Sequence, residues 1–178
     1  MLAHGTIALL LAYTVFYLHA REMTGASRYL AAAWAFACGF ALSHIIHEWG
    51  HFLGAVTSRS ALTIKPRIHP LFFDFDYPAN RQQQFLSLSI GGLLGNIALL
   101  VALLLMNTQH SLVLTALLAA VTGQLVYVLI LELPVSLGVL AGQKPLEVLA
   151  AHFGQGRPLF VRATAGGAVA AAVVLLLF

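Results

Sequence analysis

Residues 30–57 read LAAAWAFACGFALSHIIHEWGHFLGAVT, and the only ionisable side chains among them are those of Cys38, His44, His47, Glu48 and His51. The stretch is apolar enough to cross a bilayer, which takes about 20 helical residues. An ionisable group at that depth is costly and marks function by default. His47 and His51 are four residues apart, so at about 3.6 residues per turn they share one helical face. His-Glu-x-x-His on such a face offers two imidazoles to one zinc ion, with Glu48 placed to take a proton from water. The structural alternative is an internal hydrogen-bonded polar cluster. A carboxylate flanked by two histidines in a membrane span has few structural reasons to exist, so His47 and His51 are read as metal ligands and Glu48 as the catalytic base.

Composition places the whole chain in the same setting. Of 178 residues, 60% are hydrophobic and 8% are charged, against about a quarter charged in a soluble domain. Five segments qualify as spans, at 5–20, 29–57, 85–106, 111–133 and 159–178. The expectation is a single domain over residues 1–178: an all-α polytopic membrane protein of about five transmembrane helices, with a short β-hairpin or re-entrant loop after the second. The first segment lacks the basic start and the small-residue cleavage site of a signal peptide, and is expected to remain as a helix. Cys38, the single cysteine, cannot form an internal disulfide and reads as a small buried residue. A formal charge of +3 is too small to mark a nucleic-acid partner; the lipid bilayer is the partner that composition implies. Arg59, Lys65, Arg67, Arg81, Lys144, Arg157 and Arg162 fall on one side of the spans and Arg21 and Arg28 on the other. The positive-inside rule then puts the amino terminus in the cytoplasm and the carboxyl terminus outside. His51 would lie about 9 Å below the cytoplasmic end of its helix.

Three other places carry chemistry. Residues 61–77 partly alternate apolar and polar side chains, with prolines at 66, 70 and 78, which reads as short strands at an edge. In the third span Gly91, Gly92 and Gly95 permit close helix packing, whereas the amide of Asn96 is costly to bury unless hydrogen-bonded. Asn96 lies about 16 Å into its helix, near the depth of the histidines, where it would bond substrate or orient a ligand. In the fourth span Glu132 is the only charge between Ser111 and Gln143, and Pro134 is expected to break or kink the helix beside it. An interfacial glutamate reaching water is the plain alternative for Glu132. Three polar signals at similar depth on three helices fit one shared site.

Together these motifs resemble the site-2 protease family of intramembrane zinc metalloproteases. The resemblance covers residues 30–142 and rests on His47-Glu48-Trp49-Gly50-His51, on Gly92-Leu-Leu-Gly-Asn96 and on the strand-rich loop between them. It implies Gly92 and Asn96 as substrate-binding residues, and a third zinc ligand from an Asn-x-x-Pro…Asp-Gly element at the end of the next core helix. Pro134 matches that element's proline, but Leu131 stands for its asparagine, and Leu137-Gly138 or Val139-Leu140 stands where the Asp-Gly would be. Catalytic zinc takes three protein ligands and keeps one position open. Glu132 is the best replacement by depth; His69, Asp74, Asp76 and Glu147 are weaker ones. His44, one turn before His47, is about 10.5 Å in rise from His51, too far for all three to share an ion easily. It falls to a supporting or proton-transfer role, or to that of a buried histidine.

Two main functions are consistent with this pattern. One is a zinc metalloprotease that cleaves a transmembrane segment of another membrane protein, with lipid around it. The other is a non-proteolytic metal-binding subunit on the same fold, acting as chaperone or regulator, which the missing aspartate favours. A metal transporter or proton-relay protein is a third class.

Overall fold

With no water inside a bilayer, backbone N–H and C=O groups must pair within the chain, and helices do this segment by segment. The computed structural model describes residues 2–21, 23–65, 72–107 and 111–178. The apolar segments are helical throughout: α1 (Leu2–Ala20), α2 (Ala26–Thr57), α3 (Gln82–Met106), α4 (Leu112–Leu140) and α6 (Arg157–Leu177), with β1 (Leu62–Ile64), β2 (Phe73–Phe75) and the short α5 (Pro145–Phe153) between them. The five long helices are apolar enough to cross a membrane. Leu9, Leu30, Leu105 and Leu176 are 73%, 74%, 73% and 86% exposed, a surface suited to lipid rather than water. The protein is an all-α polytopic membrane protein with a short hairpin after its second helix.

α4 is the central element and packs against α1, α2, α3, α5 and α6. Its residues 113–121 are buried without a break, and Leu114, Leu118 and Val121 meet Val15 of α1 and Ala35 of α2 in one half of the core. In the other half, Val135 and Val139 of α4 pack with Ala55, Phe72, Phe73, Phe85 and Val148. That second cluster brings the hairpin, α5 and the adjoining ends of α2, α3 and α4 to one end of the molecule. Arg59, Lys65, Arg81, Lys144 and Arg157 lie in the turns and helix starts of that end.

α2 and α3 touch backbone to backbone. A Cβ built on Gly50 would stand 2.3 Å from the Gly91 carbonyl oxygen, and one on Gly54 would stand 2.1 Å from that of Ser87. Only glycine permits this approach, and it presses the motif helix directly onto its neighbour. Gln84 fixes the same pair at its end. Its Oε1 accepts from the Arg81 amide at 2.8 Å, and its Nε2 donates to the carbonyls of Ser58 and Arg59 at 3.2 and 2.9 Å.

The loop after α2 is the expected hairpin, with Leu62 opposite Phe75, Thr63 opposite Asp74 and Ile64 opposite Phe73 in an antiparallel pair. The Asn80 carboxamide closes its base on Ala61, accepting from the amide and donating to the carbonyl, both at 2.7 Å. His4 near the start of α1 stands edge-on to Phe72, with ring centroids 5.3 Å apart.

The fourth helix departs from expectation: it does not end near residue 133 but runs through Pro134 to Leu140. Proline removes the amide that would bond the Ile130 carbonyl. The turns beyond are nevertheless anchored, since Val135 and Val139 are 2% and 0% exposed and the Ser136 hydroxyl donates to the Glu132 carbonyl at 3.0 Å. The Gln82 side chain also donates to the Val139 carbonyl. α5, which the hydropathy pattern did not single out, seats Val148 against Gly138 where a Cβ would meet it at 2.9 Å.

Candidate metal centre

His47 and His51 project from α2 toward α4, where Glu132 lies about two turns from the helix end that faces the hairpin. Glu132 Oε1 is 2.9 Å from His47 Nε2 and 3.4 Å from His51 Nε2. All three donor atoms lie within 4.8 Å of one another. Two donors about 2.05 Å from a tetrahedral zinc ion are about 3.3 Å apart, so these separations fit a shared ion with little movement.

The hydrogen bond behind the His51 ring is compatible with such an ion. The Leu88 carbonyl, 2.8 Å from His51 Nδ1, can only accept, so Nδ1 carries a proton, and a neutral His51 would face Glu132 with the lone pair of Nε2. A lone pair and a carboxylate oxygen facing each other need a proton or a cation between them. Glu132 Oε2 and Glu48 Oε2 are buried with no hydrogen-bond partner among the described residues, and both are carboxylate oxygens in the same apolar surroundings. A donor set of two imidazoles and one carboxylate matches the ligand chemistry of catalytic zinc.

Asn96, 0% exposed, stands behind His47. Its Nδ2 donates to His47 Nδ1 at 3.4 Å, while its Oδ1 accepts from the Ser43 hydroxyl at 3.1 Å. It is thus hydrogen-bonded to one of the three converging residues. Gly92 lies against the rings themselves: a Cβ there would stand 2.4 Å from His51 Cε1 and 2.7 Å from His47 Cε1. The structure thus gives Gly92 a packing role beneath the two imidazoles. His44, half-buried one turn earlier, is not among the three converging donors.

The weaker third-ligand candidates are engaged elsewhere. Asp74 pairs with Lys65 at 2.9 Å across the hairpin, Asp76 accepts from the Ala79 amide at 3.2 Å in the following turn, and Glu147 pairs with Lys144 at 3.3 Å on the surface. His69 lies outside the described residues. Sequence reasoning missed Ser43, whose place one turn before His47 in an apolar span was the available signal. It also missed the Leu88 carbonyl, for which a backbone atom leaves no signal at all.

The centre opens on a cavity of about 370 Å³ whose walls include Glu48, His51 and Glu132 on one side and Phe73, Asp74 and Phe75 of β2 on the other. Tyr77 borders it as well. Burial, and secondly the negative charge of Glu132, push its phenol above the ordinary value, so it remains a neutral hydrogen-bond donor. Comparisons with protein-family models, curated proteins and solved structures return no match for this chain.

Proposed function

We propose that this protein is an intramembrane zinc metalloprotease that cleaves a transmembrane segment of another membrane protein. The observation that carries the proposal is the convergence of His47, His51 and Glu132 at a cavity bordered by a strand edge, beside Glu48, whose Oε2 is buried without a hydrogen-bond partner among the described residues. Held by those three donors, zinc would supply Lewis acidity toward a peptide carbonyl and toward water. Glu48 accepts the proton of the attacking water and returns it to the leaving amine. Asn96 and the Leu88 carbonyl hold the imidazoles in place. The hairpin wall offers an extended substrate strand a surface beside the centre. Since an intact transmembrane helix hides its peptide bonds, the substrate segment must unwind locally to reach it.

The basic residues at the hairpin end support a cytoplasmic amino terminus and a centre near the cytoplasmic face of a bacterial membrane. A second reading, a zinc-holding subunit without proteolysis, draws on one observation: the third donor is Glu132 on a helix that continues past Pro134, not an aspartate at the helix end.

One experiment separates the two. The parental protein and Glu48→Gln are purified in detergent, their zinc is measured, and each is incubated with a panel of single-span membrane proteins in vesicles. The protease reading expects about one zinc per chain in both and cleavage by the parental protein alone. Zinc in both with cleavage in neither supports the subunit. Equal cleavage by both removes Glu48 from its role.

A further inference from the structure

Beside the main cavity lies a smaller one of about 130 Å³, which shares His51, Tyr77, Leu88, Glu132 and Phe153 with it. The two are neighbours, with His51 and Glu132 in the walls of both. Val135 of α4 and Leu149 of α5 line the small pocket and not the main cavity, and Leu149 and Phe153 are four residues apart and so on one face of α5. Ser89 also lines it, but its hydroxyl is committed to Ser136 at 2.7 Å. What remains is almost wholly apolar. A cavity of about 150 Å³ with such walls accommodates one benzene ring, so this pocket has room for a single hydrophobic side chain.

Resting on the protease reading, we propose that this pocket receives the side chain next to the bond being cut, and that it selects a branched aliphatic or aromatic residue of leucine to phenylalanine size. The pocket begins at His51 and Glu132, so a side chain seated there belongs to a residue whose backbone lies at the metal. A carboxylate or ammonium group there would lose its hydration and find no buried partner of opposite charge beyond the metal ligands themselves. A residue as small as glycine or alanine would leave the walls without contact. Leu149 lines this pocket but not the main cavity, so its size bears on the pocket and not on the centre.

The test uses binding. The protein is loaded with cobalt(II), whose visible absorption reports on its ligands, and titrated in detergent with three hydroxamates bearing a methyl, an isobutyl or a carboxyethyl group. The expected result is isobutyl binding at least about tenfold tighter than methyl, with carboxyethyl no tighter than methyl. Leu149→Trp should abolish the isobutyl preference by filling the pocket. Leu149→Ala should move the preference toward a naphthylmethyl hydroxamate by deepening it, and serves if the larger substitution prevents folding. Equal affinity for methyl and isobutyl, or a preference unmoved in a folded Leu149 variant, overturns the pocket. Protein that neither retains cobalt nor responds to any hydroxamate overturns the metal centre instead, and the pocket proposal with it.

Discussion

Glu132 and His47 are 85 positions apart in the chain, yet Glu132 Oε1 lies 2.9 Å from His47 Nε2. One partner belongs to α4 and the other to α2, so an ion held between them ties together two helices that the sequence separates by a hairpin and a whole span. Metal binding at this group would couple to tertiary structure.

That coupling predicts a stability effect. Zinc at a hundredfold excess over its dissociation constant should stabilise the parental protein by about 2.7 kcal/mol, read as a rise in the thermal midpoint in detergent. Glu132→Ala should reduce zinc affinity by more than the roughly 10- to 100-fold that losing a supporting contact costs, and should lose the added stability. Glu147→Ala, whose carboxylate pairs with Lys144 at the surface, should keep both. Equal zinc binding by the two variants would remove Glu132 from the ligand set.

A second prediction concerns Asn96. For His47 Nε2 to give its lone pair to a metal, Nδ1 must carry the proton and donate backward. The Asn96 carboxamide then has to present Oδ1 to His47 and Nδ2 to Ser43, the reverse of the bonds found here. The Ser43 hydroxyl can donate or accept, so it suits either orientation. Asn96→Asp, which accepts from both neighbours, should bind zinc at least as tightly as the parent. Asn96→Leu should lose about 10- to 100-fold. Competitive titration against a chromogenic chelator measures both, and tight binding by Asn96→Leu would refute the role.

Much of this was legible in the sequence, for identifiable reasons. The spans follow from hydropathy, and the shared face of His47 and His51 follows from helical spacing. Glu132 was legible because a lone charge in an apolar run stands out. The course of α4 past Pro134 was not, since it depends on burial of Val135 and Val139 against the hairpin and α5, a long-range contact that local preference does not encode. The contact of Gly92 with both imidazoles was not legible for a related reason: a glycine that leaves room for two side chains of a neighbouring helix and one that admits a substrate leave the same letter in the sequence.

The glycine contacts give a third prediction. Gly92→Ala would put a methyl group into both imidazoles, and zinc affinity should fall with little change in helix content. Gly50→Ala would drive a methyl group into the Gly91 carbonyl, backbone that cannot rotate away, and should cost about 1–3 kcal/mol or more. Gly5→Ala, where nothing lies within 4 Å, should be neutral. Reversible denaturation in mixed micelles ranks the three, and a neutral Gly50→Ala would mean that α2 and α3 stand further apart.

A fourth concerns the tie at the helix ends. Gln84→Ala releases three backbone groups, on Ser58, Arg59 and Arg81, and should lower stability by about 1–3 kcal/mol. Zinc affinity should change little, because the ligands lie more than a turn away. A large loss of zinc would show that the end of α2 controls the centre.

The carbonyl-deep contact between Gly50 and Gly91 also limits how this gene can vary in length. One codon gained or lost between positions 50 and 54 would swing the rest of α2 by about 100° and part Gly54 from Ser87. A shift between Ser87 and Asn96 would carry the carboxamide off His47. Beyond Asn96, Ile97, Val101 and Leu105 face outward, but Leu103 between them is buried in the core, so insertions and deletions tolerated by this protein should gather at the helix ends, leaving the ten residues on each side of the contact fixed in number.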